Sequence, residues 1–140
     1  MKYILILSIL VLASCSSGQK KMAETIKFPL ELSLKQTVTM DGTSITFNEV
    51  TEDSRCPTNV QCVWAGRAKV SVTIAESGKA PVEKKIILGE TREGENDTKM
   101  VLKTGEYILQ ASELKPYPKD SNNEISGYVL EITKEDASEN

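Results

Sequence analysis

The sequence predicts an all-β fold: one antiparallel β-sandwich of seven to nine short strands. Three observations carry that expectation. From Phe28 onward apolar residues recur at every second position, which is the strand period. Gly, Pro, Asn and Asp interrupt these runs at the intervals of a sandwich or barrel. No window after the first 14 residues holds a helical period near 3.6, which disfavours parallel βαβ layouts.

The elements follow in order. Leu30, Leu32 and Leu34 alternate with Glu31, Ser33 and Lys35, and Val38 and Met40 continue that register to Asp41-Gly42. Asp-Gly between alternating runs is a strong two-residue hairpin signal. Ile45 and Phe47 follow, and Val50 then falls one place out of phase, which a bulge near Asn48-Glu49 would repair. The clearest strand alternates Ala68, Val70, Val72 and Ile74 with Lys69, Ser71 and Thr73, and ends at Ser77-Gly78. Val82 to Leu88, Met100-Leu102, Tyr107-Leu109-Ala111 and Tyr128-Leu130-Ile132 complete the set. Two packed sheets of immunoglobulin- or fibronectin-like layout are expected. An antibody-type domain proper is excluded, because no Cys…Trp…Cys has cross-sheet spacing. The core should be mainly aliphatic, since the segment after residue 14 holds few aromatics.

The first 14 residues read differently. Lys2 gives a positive start, Ile4 to Leu12 an apolar run, and Ala13-Ser14 small residues before Cys15. The run is too short to cross a bilayer as a helix, which needs about 20 apolar residues. The string Leu12-Ala13-Ser14-Cys15 resembles the lipobox of bacterial lipoprotein signal peptides. That resemblance implies cleavage before Cys15 and lipid attachment to its sulfur, with the bilayer as first partner. A single acyl chain binds membranes marginally, whereas two or more hold firmly. The resemblance also bears on location. Asp directly after the lipidated Cys commonly marks inner-membrane retention, and Ser16 stands there instead, which leans toward the outer membrane of a diderm cell.

Four segments are therefore expected: a signal peptide over 1–14, a lipidated tether over 15–27, a β-sandwich over 28–134, and an acidic tail over 135–140. Without residues 1–14 the chain has 126 residues, the size of one domain, and loss of Lys2 takes the net charge from −3 to −4. A mildly acidic chain with no basic stripe is a poor nucleic-acid binder. The absence of His removes the commonest general base and the commonest zinc ligand.

Cys56 and Cys62 remain. In an exported protein a pair is most simply a disulfide. Redox chemistry of the thioredoxin kind uses Cys-x-x-Cys, and here five residues intervene.

The segment from Glu52 to Gly66 gathers both thiols, the only Trp, a Pro, a Gly and an acid–base trio. Its string DSRCP…CVWAG resembles a motif of small exported proteins and lipoproteins of unknown function. The resemblance extends over about Phe28 to Thr133, including Pro116-Tyr117-Pro118 and the final Tyr128 strand, and implies no activity. Two readings compete. In one, Cys56–Cys62 closes a strand-connecting loop, Trp64 packs on the disulfide or plugs the sandwich end, Asp53 caps loop amides, Arg55 pairs with a carboxylate, and Gly66 permits a turn. In the other, the rigid loop presents Asp53, Arg55, Asn59, Gln61 and Trp64 to a partner, because rigidity lowers the ordering cost of binding.

Other chemistries find less support. Asp120 to Glu124 alternates oxygen side chains as a calcium loop does, but lacks the EF-hand frame, and a hairpin loop explains it better. Glu93, Glu95 and Asp97 read as solvated loop acids. Without His, Ser–His and Cys–His nucleophiles are impossible. No catalytic residue, cofactor or metal is assigned. The expectation is a non-catalytic envelope module that binds or supports an envelope protein or surface polymer. The alternatives are a protease inhibitor offering Arg55 to a trypsin-like pocket, and a hydrolase built on a carboxylate pair.

Overall fold

The computed structural model describes residues 26–95, 99–120 and 125–139. Cys15, the expected signal peptide, most of the expected tether, Asp97 and the Ser121–Glu124 part of the suggested calcium loop lie outside the described residues.

The described residues form an antiparallel β-sandwich of eight strands. They are β1 (Leu30–Ser33), β2 (Thr37–Met40), β3 (Thr43–Asp53), β4 (Arg67–Glu76), β5 (Val82–Gly89), β6 (Met100–Lys103), β7 (Tyr107–Lys115) and β8 (Val129–Asp136). One sheet has the order β1-β8-β7-β6 and the other β2-β3-β4-β5. Each sheet is a meander, with β1 added beside β8. This order differs from the Greek key of immunoglobulin-type sandwiches. The sandwich is as expected, and the connectivity is its own.

The period-2 pattern explains the layers. Ala68, Val70, Val72 and Ile74 of β4 point inward and are at most 5% exposed. They meet Ile45 and Phe47 of β3, Ile86 of β5, Leu109 and Leu114 of β7, and Leu130 and Ile132 of β8. Phe47 and Tyr107 are the core aromatics, so the interior is mainly aliphatic. Burying each large side chain contributes about 1.5–3 kcal/mol.

Register shifts in the long strands keep this alternation in phase. β3 shifts register between Phe47 and Glu49, where the out-of-phase Val50 predicts a bulge. It shifts again between Val50 and Glu52, and β7 does so between Ala111 and Glu113, which returns Leu114 to the core. Asp41 and Gly42 both have positive φ, 50° and 76°, the two-residue turn that suits a right-twisted hairpin.

Two expectations need correction. Leu30 to Met40 is not one continuous strand. Lys35 takes a φ of 67°, and the chain crosses there from the first sheet to the second. The alternation continues because both short strands face the same core. The acidic tail also begins later than expected: Glu135 and Asp136 still pair with Ile108 and Tyr107, and a 3-10 turn, Ala137–Glu139, follows.

The strand directions define two poles. The β3–β4, β5–β6 and β7–β8 connections gather at one. The β2–β3 turn, the start of β7 and the end of β8 lie at the other. β1 starts toward this second pole, since Leu30 pairs with Ile132 and Ser33 with Val129.

Candidate functional site

The most densely built part of the surface is the pole of the β3–β4 connection, residues 54–66. It is too long and polar to be a tight turn, and three devices fix it.

The first is covalent. Cys56 and Cys62 form a disulfide with Cα atoms 5.9 Å apart. The second is an ion pair. The Arg55 Nε and Nη2 atoms donate to Asp53 Oδ1 and Oδ2 at 2.7 and 2.6 Å. Arg55 Nη1 also donates to the Leu114 carbonyl and Nη2 to the Pro116 carbonyl at 3.0 Å, while the guanidinium lies 4.8 Å from the Tyr117 ring centroid. The Tyr128 hydroxyl donates to Asp53 Oδ2 at 3.0 Å. Burial pushes the Asp53 carboxyl up, but the hydrogen bonds from Arg55 and Tyr128 and the Arg55 charge outweigh it, so the group sits below its ordinary value. Burial and the bond to Asp53 push the Tyr128 phenol up to about 12.

The third device is backbone contact. Thr58 N–H donates to the Pro118 carbonyl at 3.1 Å and Asn59 N–H to that of Lys119 at 3.3 Å. Gly66, with φ +74°, lies so close to residue 54 that a Cβ would sit 1.9 Å from the Ser54 carbonyl oxygen. A side chain at Gly89, φ +112°, would meet the Gly66 carbonyl at 2.7 Å. Two glycines therefore let the β3–β4 and β5–β6 connections touch.

The β5–β6 connection is held by a charge network. Arg67 bonds Glu52 at 3.0 Å and also bonds Glu95, while Lys69 Nζ meets Glu95 at 2.5 Å. Hydrogen bonds from Lys69 and the Arg92 N–H, opposed by burial and helped by Arg67, hold Glu95 down to about 2. A hydrogen bond from Arg67 likewise keeps Glu52 low, against the opposing effect of burial.

Above this floor lies an open groove of about 570 Å³, between the cross-linked loop and the start of the β5–β6 connection. Val63 and Trp64 form one wall, and Glu90, Thr91 and Arg92 the other. Trp64 is 73% exposed and Val63 91%.

These positions divide the expected site residues. Asn59, Gln61 and Trp64 are exposed as the recognition reading requires. Arg55 and Asp53 are not: their side chains are 8% and 9% exposed and satisfied by each other. The expectation that Arg55 is presented to a partner or a protease pocket is thus corrected, because it clamps two loops together. Of the two structural readings of Trp64, the plug at the sandwich end is corrected, since the side chain is exposed; it lines the groove together with Cys62. Gly66 has the turn role expected of it. Glu95 is not a solvated loop acid but the anchor of its loop.

Glu90, Thr91 and Arg92 were not singled out by sequence reasoning. They sit in a polar stretch without periodicity, and only the Gly66–Gly89 contact brings them opposite Trp64. Among the described residues no group of three or more His, Cys, Asp or Glu could hold a metal ion. Among the described residues, the carboxyls whose pKa values shift clearly, Glu52, Asp53, Glu95 and Glu131, shift down. In comparisons with known families, curated proteins and solved structures, nothing matches this chain.

Proposed function

We propose that this protein is a lipid-anchored, non-catalytic binding module of the bacterial cell envelope, attached through Cys15, and that it recognises its ligand with the cross-linked pole. In a diderm cell it belongs to the outer membrane. The ligand is a surface polymer or another envelope component.

One observation carries the reading: Trp64 stands 73% exposed on a loop braced by a disulfide, an ion pair and two glycines. Trp64 stands beside the exposed Val63, and an apolar patch of this kind marks an interaction site when it is contiguous, while a rigid loop loses little entropy on binding. Its placement fits the anchor. The chain enters the sandwich toward the opposite pole, and β3, at 11 residues, is about 35 Å long. The expected tether, segment 15–27, places a further 13 residues between the anchor and the sandwich. The groove would then face away from the membrane that holds the protein.

The test has two arms. Labelled palmitate fed to the native host should enter the protein and be lost in Cys15→Ala. Cross-linking of the full lipidated chain in its own envelope should capture a component that Trp64→Ala, still folded, does not. Absence of label, or absence of any Trp64-dependent component, would contradict the proposal.

A further inference from the structure

Resting on that reading, we infer that the groove between Trp64 and the Glu90–Arg92 segment is a subsite for a neutral oligosaccharide, with one pyranose ring stacked on the indole.

The chemistry of the two walls selects the ligand. One wall is a flat apolar surface, Trp64 beside Val63. The other offers a donor-only group in Arg92, an acceptor in the Glu90 carboxylate, and a hydroxyl that can do either in Thr91. All three are exposed, and the Arg92 side chain reaches Glu52 only at 4.0 Å. Among the described residues no ion pair or hydrogen bond occupies the Glu90 carboxylate. A pyranose matches both walls at once. It has an apolar C–H face for the indole and a rim of hydroxyls that donate and accept.

Charge narrows the class. The charged side chains lining the groove are Arg67, Glu90 and Arg92; Arg67 is already paired with Glu52 and Glu95, which leaves Glu90 and Arg92 to balance each other. A polyanion or polycation would find no net field to meet.

Shape argues against a peptide. An extended peptide is held by main-chain pairing to a sheet edge, and an amphipathic helix needs a long apolar trough. The walls here are loops, and Val63 and Trp64 are the large apolar side chains on them.

The full chain, purified with its anchor in a detergent free of sugar, can be titrated calorimetrically with hexamers of β-1,4-glucose, α-1,4-glucose and β-1,4-N-acetylglucosamine. In parallel the emission of its single Trp is followed. At least one neutral hexamer should bind saturably and alter that emission. Trp64→Ala should weaken the calorimetric affinity at least about tenfold, and Glu90→Gln by roughly threefold or more, with melting temperatures within a few degrees of wild type. Binding that survives Trp64→Ala, or no saturable response to any hexamer, would overturn the inference. If the hexamers fail while Trp64-dependent capture of an envelope protein succeeds, the pole remains a binding surface and only the carbohydrate assignment falls. If both fail, both readings fall.

Discussion

Arg55 and Asp53, two residues apart at the end of β3, face each other through a doubly hydrogen-bonded ion pair, and the same guanidinium bonds carbonyls of Leu114 and Pro116 on the far side of the sandwich. One side chain thereby joins the two sheets at the pole that carries the groove. This arrangement accounts for an Arg in a string where recognition by an exposed cation is the other ready explanation.

Removal of that clamp should be costly. Arg55→Ala leaves Asp53 buried without its partner, and breaking a buried pair costs about 3–5 kcal/mol. Urea unfolding should show a loss of this size. Arg55→Lys should recover only part of it, because an ammonium cannot reproduce the forked contact. A variant within about 0.5 kcal/mol of wild type would refute the clamp.

The glycines make a paired prediction. Gly66→Ala places a Cβ against the Ser54 carbonyl at a φ of +74°, and Gly78→Ala, at φ +78°, meets nothing within 4 Å. The conformational cost, about 1–2 kcal/mol, is common to both. Thermal melts should therefore rank Gly66→Ala well below Gly78→Ala. Equal melting temperatures would mean that the approach of residues 54 and 66 is not tight.

The shifted groups give opposite pH limits. Glu95 is depressed from 4.5 to about 2, so its contribution to stability is complete above pH 4.5 and is lost as pH falls toward 2. Tyr128 is raised from 10.0 to about 12, so its contribution is complete below pH 10 and is lost as pH rises toward 12. Emission of Trp64, across the groove from the Glu95 loop, should respond to acid before the core unfolds. Glu95→Gln should remove that acid response, and Tyr128→Phe should flatten the alkaline limb.

The disulfide should brace the loop rather than hold up the sandwich. Closing a loop this short is worth about 2–3 kcal/mol, whereas the core of Phe47, Val70, Leu109 and Leu130 lies away from it. Cys56→Ser with Cys62→Ser should remain folded by circular dichroism, with lower fluorescence anisotropy at Trp64. Unfolding of the double variant at room temperature would contradict this.

The strands were legible because each buries one face, and a period of two is written directly into Ala68-Val70-Val72-Ile74. The bulge at Asn48 was legible for the same reason, since Val50 breaks phase. The sheet change at Lys35 was not, because Leu34 and Val38 keep alternating on both sides of it. The cysteine pair could be read from its spacing and the signal-like N-terminus. Which residues of the cross-linked loop face solvent could not. That depends on Leu114 and Pro116, some 60 residues away, whose carbonyls draw Arg55 inward and leave Trp64 outside. The opposite wall of the groove was hidden for the same reason: Glu90 and Trp64 line one groove because Gly66 and Gly89 let their two connections approach.

The lone Trp allows the whole account to be examined at once. The full chain purified from its native host, incorporated into vesicles of brominated phospholipid, should stay with them in high salt, and Trp64 emission should be quenched by aqueous iodide but not by the lipid bromine. Release of the protein by salt, or quenching of Trp64 by the brominated lipid, would contradict a lipid-anchored module whose recognition pole points away from its membrane.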